Sequence, residues 1–498
     1  MTDLAPDDAL VPTGLSGLDE ILRGGLPPHQ TYLIHGMPGT GKTTLGLHFA
    51  MEGVRRREKA LYVSNCETPE QIRFLSDSHG FDLEGVDVRY LDTGELLGEE
   101  SEQSLFAASE FAFPLPLDPP SELVEPRRPD RLVLDSLTEL RLLAAEPRAF
   151  RRELLSLTRK LSAMGCASLF FDDAPKDAAT LASVVSGLVE LEQASRSYGS
   201  DRRRLRVRKL RGRDFRSGYH DFRIRRGGID VFPRLVQDEA PDPGPRSAEV
   251  TSGNEALDEL LGGGVVRGSS VLLQGSAGSG KSTLCALFAS TAAARGEAST
   301  FCVFDESTRM LLDRASSLGI GLSAHVDDGT VDLWEVDPAE LTPGEFSHRI
   351  RQDVEERGVR LVVIDSLSGY LHAMDNQQVL LVHLHELLGY LGSRGVTVLM
   401  VVSQHGGFDP SPPSIDDLSY VSDVVLLLRH FEFAGEVRQC ISVYKNRGGD
   451  HERSIREMRL GPTGIHVGEP LRSFQGVLRG MPQYVADRIP APDEESDR

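Results

Sequence analysis

Cysteine is scarce in this sequence, and no two cysteines have the spacing of a metal site. The chain has 498 residues and five cysteines, none of which forms a C-x-x-C pair. The five are Cys66, Cys166, Cys285, Cys302 and Cys440. Zinc ribbons need paired cysteines, and small secreted domains need a dense set of them. The pattern therefore excludes a zinc ribbon and argues against a disulfide framework.

Long hydrophobic runs are also missing. No apolar stretch approaches the ~20 residues that a membrane-spanning helix needs. Residues 1–8 are acidic and contain neither the basic nor the apolar region of a secretory signal peptide. We therefore expect a cytoplasmic protein without a membrane partner.

Basic residues are outnumbered by acidic ones. Lysine and arginine total 54 against 75 aspartate and glutamate, which gives a formal net charge of −21. Neutralising nucleic-acid phosphates requires a net basic surface, so this charge argues against nucleic acid as a partner. A hydrophobic content of 40% with 26% charged residues is ordinary for a globular protein. At about 100–200 residues per domain, the length predicts two to four domains.

What the sequence does contain is an internal repeat. Three pairs of segments match in the same order: 13–45 with 251–284, 131–137 with 361–367, and 207–212 with 443–448. Two glycine-rich loops lie within the first pair, and their lysines, Lys42 and Lys281, are 239 residues apart. A repeat of this size is a whole domain rather than a unit of a solenoid.

The pattern of strands and helices in both copies indicates an α/β fold. Short β-branched segments such as TYLIHG (31–36) and SVLLQG (270–275) alternate with amphipathic helices. This alternation is typical of a mostly parallel sheet covered by helices. The predicted organisation is a first domain at 1–236, a proline-rich acidic linker at 237–249, a second domain at 250–470 and a tail at 471–498. A further stretch with six prolines, 113–129, is predicted to be a loop.

Both repeats carry the phosphate-loop pattern G-x-x-x-x-G-K-[ST] between a predicted strand and a predicted helix. Glycines let backbone N–H groups surround phosphate oxygens at a helix N-terminus, and the lysine reaches the β- and γ-phosphates. The residues predicted to hold ATP are Gly36, Gly39, Gly41, Lys42, Thr43 and Thr44 in the first repeat and Gly275, Gly278, Gly280, Lys281, Ser282 and Thr283 in the second. The alternative, a chance glycine-rich turn, is disfavoured because the pattern occurs twice with the same flanks.

Magnesium is the predicted metal at both loops. The hydroxyl groups of Thr43 and Ser282 occupy the position that ligates Mg²⁺ in such loops. Asp135 and Asp365 each end an apolar strand and precede Ser-Leu, where a carboxylate can face the metal. An aspartate at a strand end can also cap the next helix, but its repetition at matched positions favours the metal role.

A glutamate follows each loop lysine at the same distance. Glu67 and Glu306 lie 25 residues after Lys42 and Lys281, just beyond the next predicted strand. A carboxylate there can orient and deprotonate an attacking water. The alternative is an exposed acid at the start of a helix, and the identical spacing favours catalysis.

Residues 196–226 contain thirteen lysine and arginine residues, a reversal within an acidic chain. One interpretation is a nucleic-acid surface. The other is that Lys209 and Arg211 point from one strand face towards the phosphates of a neighbouring subunit. Lys445 and Arg447 repeat this K-x-R-G pair without the surrounding basic run, which favours the phosphate role.

These motifs together resemble the KaiC family, the double-domain RecA-like ATPases known from the cyanobacterial circadian clock. The resemblance covers residues 13–482 and rests on the paired loops, the two hhhDS strands, KLRG and KNRG, and SFQGVLRGMP near the C-terminus. It implies two tandem RecA-like domains and a homohexamer with ATP between neighbouring subunits. It also implies an ATPase first half, a second half that phosphorylates its own hydroxyl groups, basic K-x-R-G residues that reach ATP in trans, and a regulatory protein partner.

The sequence departs from the family at the glutamate pair that follows the second strand. Cys66-Glu67 stands there in the first repeat and Asp305-Glu306 in the second. The resemblance gives Asp305 a part in catalysis, and loss of a carboxylate at position 66 predicts slow hydrolysis in the first half. The Cys66 thiol is either a redox group or a buried inert side chain, and the second interpretation is favoured.

The second departure concerns the phosphorylated Ser-Thr pair of the family, which falls on Ser419-Tyr420 here. Ser419 is the candidate phosphate acceptor; the alternative is a surface residue of a helix. Asp416 and Asp417 precede it and could imitate phosphorylation by their charge. The short acidic tail also differs from the longer regulatory tail of clock proteins, which weakens the expectation of a partner that binds it.

The leading hypothesis is a Mg²⁺-dependent, hexameric ATPase that autophosphorylates at Ser419. One alternative is a nucleotide-gated signalling scaffold with little turnover, which the changes at positions 66 and 420 favour. A DNA-dependent, recombinase-like ATPase is the other, motivated by residues 196–226 and opposed by the net charge.

Overall fold

The computed structural model describes residues 9–92, 118–142, 144, 147–173, 181–195, 199–236, 249–371, 377–403, 419–477 and 483–485. The chain divides into two compact units, Met1–Arg234 and Leu235–Arg498. The predicted linker lies outside the described residues except for its last one, and so does most of the predicted tail.

The first unit alternates strands and helices around one sheet. Its strands are β1 (Thr31–His35), β2 (Ala60–Ser64), β3 (Val86–Tyr90), β4 (Arg131–Asp135), β5 (Ala167–Asp172), β6 (Gly187–Ala194), β7 (Arg202–Leu210), β8 (His220–Arg225) and β9 (Gly228–Phe232). Its helices are α1 (Ser16–Ile21), α2 (Lys42–Arg55), α3 (Pro69–His79), α4 (Asp118–Val124), α5 (Leu137–Leu142) and α6 (Pro147–Ala163).

The nine strands form one sheet in the order β3-β2-β4-β5-β1-β6-β7-β8-β9. The pairs from β3 to β6 are parallel, and the pairs from β6 to β9 are antiparallel. The predicted α/β fold with a mostly parallel sheet is therefore confirmed. An antiparallel extension completes the sheet at the β9 edge.

The second unit repeats this architecture. Its strands are β10 (Glu249–Val250), β11 (Val265–Val266), β12 (Ser270–Gly275), β13 (Ser299–Val303), β14 (Val331–Glu335), β15 (Leu361–Asp365), β16 (Thr397–Ser403), β17 (Val424–Phe433), β18 (Glu436–Asn446), β19 (Arg456–Gly461), β20 (Gly464–Pro470), β21 (Phe474–Gln475) and β22 (Gln483–Tyr484). Its helices are α7 (Glu255–Leu261), α8 (Lys281–Ala294), α9 (Thr308–Ser317), α10 (Leu322–Asp327), α11 (Pro343–Glu356), α12 (Leu367–Leu371) and α13 (Gln377–Ser393). The main sheet has the order β14-β13-β15-β16-β12-β17-β18-β19-β20, which matches the first sheet strand for strand.

The inner parallel strands, such as β2, β4 and β5, are buried on both faces, which explains the continuous apolar runs in the sequence. On β4, Val133 points into the cluster that contains Phe49 of α2. Its neighbours Leu132 and Leu134 point into the opposite cluster, which contains Leu157 of α6. Successive side chains of a strand alternate between faces, so one apolar strand holds helices on both sides of the sheet.

The proline-rich stretch 113–129 is not entirely a loop, because α4 occupies Asp118–Val124. Pro119 and Pro120 lie in the first turn of α4, where a missing backbone N–H costs no helical hydrogen bond. The helix is held by Val124, which is buried in the core of the first unit. Among the described helices of the whole chain, none is long and apolar enough to cross a membrane.

Candidate nucleotide sites

The glycine-rich loop of the first unit connects the end of β1 to the start of α2 at Lys42. Gly39 and Gly41 have φ angles of +83° and +100°, in the left-handed region that favours glycine. A Cβ atom at Gly36 would lie 2.7 Å from Thr40 Oγ1, so the tight turn excludes a side chain there. Because Gly41 provides no side-chain cap, the first N–H groups of α2 remain available to a phosphate.

The loop of the second unit has the same backbone geometry between β12 and α8. Gly278 and Gly280 have φ angles of +77° and +98°. A Cβ atom at Gly275 would lie 2.4 Å from the Leu428 carbonyl oxygen. Both loops are thus shaped to place backbone N–H groups around an anion.

The loop lysines fold back over their own loops. Lys42 Nζ donates to the carbonyl oxygens of Gly36 at 2.6 Å and Met37 at 3.1 Å. Lys281 Nζ donates in the same way to Gly275 at 3.0 Å and Ser276 at 2.7 Å. Burial lowers the pKa of both ammonium groups, and nearby carboxylates oppose this shift. A phosphate would supply the same negative charge at closer range.

The structure brings the predicted hydroxyl and carboxylate of the first site together. Thr43 Oγ1 donates to Asp135 Oδ2 at 3.2 Å. Asp135 Oδ2 accepts a second hydrogen bond, at 2.8 Å, from the hydroxyl of Tyr62 on β2. Burial raises the pKa of Asp135, while these two hydrogen bonds lower it. The sequence analysis missed Tyr62, whose counterpart 239 residues later is Phe301.

The second site has the matching pair, Ser282 and Asp365, without a hydroxyl group at the position of Tyr62. Burial raises the pKa of Asp365 to about 6, and a hydrogen bond from Ser282 opposes this shift. Asp365 Oδ2 is buried without a hydrogen-bond partner among the described residues.

The donor sets at both loops fit a magnesium ion. No described group of three or more His, Cys, Asp or Glu side chains could hold a metal by itself. Mg²⁺ bound with a nucleotide needs no such group, because phosphates and water supply most of its ligands beside one or two protein oxygens. Thr43 and Asp135 provide such oxygens in the first unit, as Ser282 and Asp365 do in the second.

The glutamates that follow the loops have different surroundings. Glu67 is anchored through its backbone N–H, which donates to Ser64 Oγ at 2.9 Å. Its Oε2 is buried without a hydrogen-bond partner among the described residues. Burial, together with the charge of Asp135, raises the pKa of Glu67. The direction of this shift is the one expected of a carboxylate that accepts a proton from water.

Glu306 is held in an ion pair instead. Its two carboxylate oxygens accept hydrogen bonds from Arg314 of α9, at 2.7 Å from Nη1 and 2.6 Å from Nη2. The neighbouring Asp305 accepts a hydrogen bond from the Ser366 hydroxyl, next to Asp365. Arg314 was not predicted, although alignment of the repeats at 239 residues shows that Leu75 takes its place in the first unit.

The prediction that Cys66 is buried is wrong, because the residue is exposed. The chain turns outward directly after the buried strand β2. The sulfur itself is partly shielded, donating to Asn65 Oδ1 at 3.3 Å and lying 3.7 Å from Ser136 Oγ. This shielding raises the pKa of the thiol, so the group stays protonated and poorly nucleophilic at neutral pH.

Ser419 and the K-x-R-G lysines lie at the opposite end of each sheet from the loop of the same unit. Lys445 Nζ donates to the carbonyl oxygens of Ser419 and Ser422, each at 2.6 Å. The next residue, Asp423, is bonded to Ser270 at the start of β12, whereas the loop follows the end of that strand. Six residues of strand separate these two ends by about 17 Å.

The first unit repeats this arrangement, and all four basic residues stand away from their own loops. Lys209 Nζ donates to the carbonyl oxygens of Ala182 and Val185, and Arg211 to that of Ser183 at 3.1 Å. Arg447 is bonded through its backbone to Asp423. Asp416 and Asp417, proposed as imitations of phosphorylation, lie outside the described residues.

The basic run of residues 196–226 faces acidic side chains of its own sheet. Arg204 and Arg206 of β7 lie directly opposite Glu192 and Glu190 of β6. The two pairs are joined at 2.7 Å each. Much of the run is therefore neutralised within the sheet, which does not favour a nucleic-acid surface.

Comparison with known proteins agrees with this geometry. The sequence model of the KaiC ATPase family matches residues 11–236 and 250–472. The circadian clock oscillator protein KaiC of Acaryochloris marina is 26% identical over 490 residues, which cover 95% of this chain and 91% of the relative. Its counterpart in Synechococcus elongatus is 26% identical over 489 residues, covering 95% and 92%. The chain belongs to the KaiC ATPase family.

Proposed function

We propose that this protein is a Mg²⁺-dependent ATPase that assembles as a homohexamer and transfers phosphate to its own Ser419. The observation that carries the proposal is the presence of two complete phosphate loops, each with a hydroxyl group beside a buried carboxylate. Membership of an ATPase family supports hydrolysis. The metal, the assembly and the phosphate transfer are inferred from the residues and from the resemblance.

The residues at each loop have separate tasks. Backbone N–H groups and the loop lysine bind the phosphates of ATP. Thr43 and Asp135, and likewise Ser282 and Asp365, would hold Mg²⁺, which neutralises phosphate charge when bound. Glu67 and Glu306, with Asp305, are the candidates for activating water or a hydroxyl group.

The distance between the two ends of each sheet supports the proposed assembly. Lys209, Arg211, Lys445 and Arg447 cannot contact the ATP of their own unit across about 17 Å of strand. Ser419 is separated from Lys281 in the same way. These residues can meet a nucleotide only when another subunit presents its loop to them, as in a ring with ATP at the interfaces. A regulatory protein partner is a further part of this proposal.

A scaffold with little turnover is the second candidate, and one observation favours it. Arg314 occupies both oxygens of Glu306, so the second site lacks a free base at the predicted position. A site of this kind would retain ATP rather than consume it.

The intact mass of the purified chain, followed for several hours with Mg-ATP, tests the kinase part of the proposal. We expect a gain of one phosphate that is absent from Ser419→Ala and retained in Tyr420→Phe. Phosphate release, measured in parallel, should disappear with EDTA, and light scattering with ATP should give six subunits. An unchanged mass with continued phosphate release would remove the kinase and leave the ATPase; no release at all would support the scaffold.

A further inference from the structure

The two candidate bases differ in what surrounds them, although they occupy matched positions. Glu306 and Arg314 form a bidentate ion pair, with both carboxylate oxygens within 2.7 Å of guanidinium nitrogens. The carboxylate is largely buried, at 19% exposure, and the guanidinium is 36% exposed. Paired charges of this geometry are among the stronger hydrogen bonds of proteins. The pairing raises the pKa of Arg314, so the guanidinium stays charged at any working pH.

The first unit has no cation at the corresponding position. Helices α3 and α9 begin after matched caps, Thr68 and Ser307, which are also 239 residues apart. Counting from these caps places Leu75 where Arg314 stands. Leu75 is half-buried and packs against the apolar core of its unit, so it cannot engage Glu67.

A general base must accept a proton from water at hydrogen-bond distance in the reacting complex. A carboxylate whose two oxygens both accept charge-assisted hydrogen bonds from a guanidinium is held in place by that partner, which competes with a water for the same oxygens. A carboxylate with a free oxygen has no such competitor. The first environment suppresses water activation and the second permits it.

We propose that Arg314 keeps Glu306 from activating water, so that hydrolysis is slow at the second site and fast at the first. This inference rests on the proposed function, in which Glu67 and Glu306 activate water. It assigns to Arg314 a positioning role that sets the difference in rate between two otherwise similar sites.

The test uses the full chain and the fate of its bound nucleotide. The protein is loaded with Mg-ATP, separated from free nucleotide, quenched at intervals and assayed for bound ATP and ADP and for released inorganic phosphate, which distinguishes hydrolysis from transfer to Ser419. In the wild type we expect two phases of comparable amplitude, a fast one from the first site and a slow one from the second. General-base catalysis contributes about 10²–10⁴-fold, so Arg314→Leu should accelerate the slow phase by about tenfold or more and leave the fast phase unchanged.

Matched variants identify the groups responsible. Glu306→Gln added to Arg314→Leu should restore the slow phase, because the freed base is removed. Leu75→Arg should slow the fast phase by bringing a cation beside Glu67, whereas Leu75→Met should not. A merely structural role for Arg314 would lower the unfolding midpoint without accelerating either phase.

Each contrary result has a separate meaning. A slow phase that Arg314→Leu leaves unchanged or slows further overturns the role of Arg314 while the ATPase stands. A single fast phase for all the bound ATP in the wild type also overturns it. Retention of all bound ATP in wild type and variants alike would contradict the proposed hydrolysis itself.

Discussion

Replacing Tyr62 by phenylalanine tests how the first site holds the carboxylate of Asp135, the candidate Mg²⁺ ligand. The fully buried Tyr62 hydroxyl donates at 2.8 Å to Asp135 Oδ2, which keeps only the longer 3.2 Å hydrogen bond from Thr43 in the variant. Phenylalanine is tolerated at this place in the fold, since Phe301 occupies it in the second unit. Hydrogen bonds to charged groups contribute about 1.5–3 kcal/mol, so we expect the unfolding free energy of the first unit to fall by about 2 kcal/mol at pH 7.5.

The size of this loss should depend on pH, in a direction fixed by Asp135. Its pKa is higher in the folded chain than in the unfolded chain because of burial, so its relative contribution to stability falls as the pH rises through the folded-state pKa. The Tyr62 hydrogen bond opposes that shift, and removing it raises the folded-state pKa further. The difference between wild type and variant is therefore largest where Asp135 is ionised. Below the folded-state pKa only a neutral hydrogen bond is lost, worth about 1 kcal/mol.

Urea unfolding without nucleotide or Mg²⁺ measures this loss in one unit at a time. The chain has a single tryptophan, Trp334, which lies on β14 of the second unit, so its fluorescence follows that unit alone. Circular dichroism follows both units. We expect Tyr62→Phe to shift the dichroism transition and leave the Trp334 transition in place, while Phe301→Tyr, in the second unit, changes both signals together. A loss under about 0.5 kcal/mol at pH 7.5, or one that does not become smaller as the pH is lowered, would refute the reasoning.

Two further substitutions test the packing behind the first site. Gly46→Val places a Cβ atom 2.7 Å from Phe171 Cζ, where α2 crosses the sheet. We expect a loss of about 2 kcal/mol by the same dichroism assay, from overpacking. Gly321→Ala, with open space around it and a φ angle of −75°, is the control for adding a methyl group. Arg131→Met removes a buried guanidinium that donates hydrogen bonds to Glu58 and to the carbonyl oxygens of Pro12 and Phe49. Breaking a buried ion pair costs about 3–5 kcal/mol. Because Glu58 is partly exposed, we expect a loss of unfolding free energy at the lower end of this range. An unchanged dichroism midpoint in either variant would contradict the packing described.

The sequence was most informative where backbone geometry restricts the choice of residue. Only glycine accepts the left-handed conformations of Gly39 and Gly41 at low cost, so the loop could be recognised from its amino-acid sequence. Asp135 could be recognised because it ends an apolar strand of a parallel sheet, and such strand ends gather at one edge. These positions depend on local order along the chain, which a sequence shows directly.

The sequence was least informative where a contact depends on side-chain direction. The ion pair of Glu306 and Arg314 joins a residue before α9 to one in the second turn of that helix. The amino-acid sequence does not show which cation of the helix will contact the glutamate before it. The exposure of Cys66 depends on the path of the chain after β2. The separation of Ser419 from Lys281 becomes visible only when the start and end of β12 are placed in space.

Alignment of the two units shows two matched sites whose carboxylates have different partners. Cys66 in place of the family's first glutamate predicted a slow first half. That half nevertheless keeps Glu67, whose Oε2 has no hydrogen-bond partner in the described part of the chain, and an Asp135 carboxylate that accepts a hydrogen bond from Tyr62. The second half has acids at both positions, and each accepts a hydrogen bond from another side chain. Asp305 accepts from Ser366, and Glu306 accepts from Arg314. The number of carboxylates near a phosphate loop is thus a poor guide to turnover, because a carboxylate activates water only if no stronger partner already holds it. By this criterion we expect the first unit to be the faster site, despite having lost an acid.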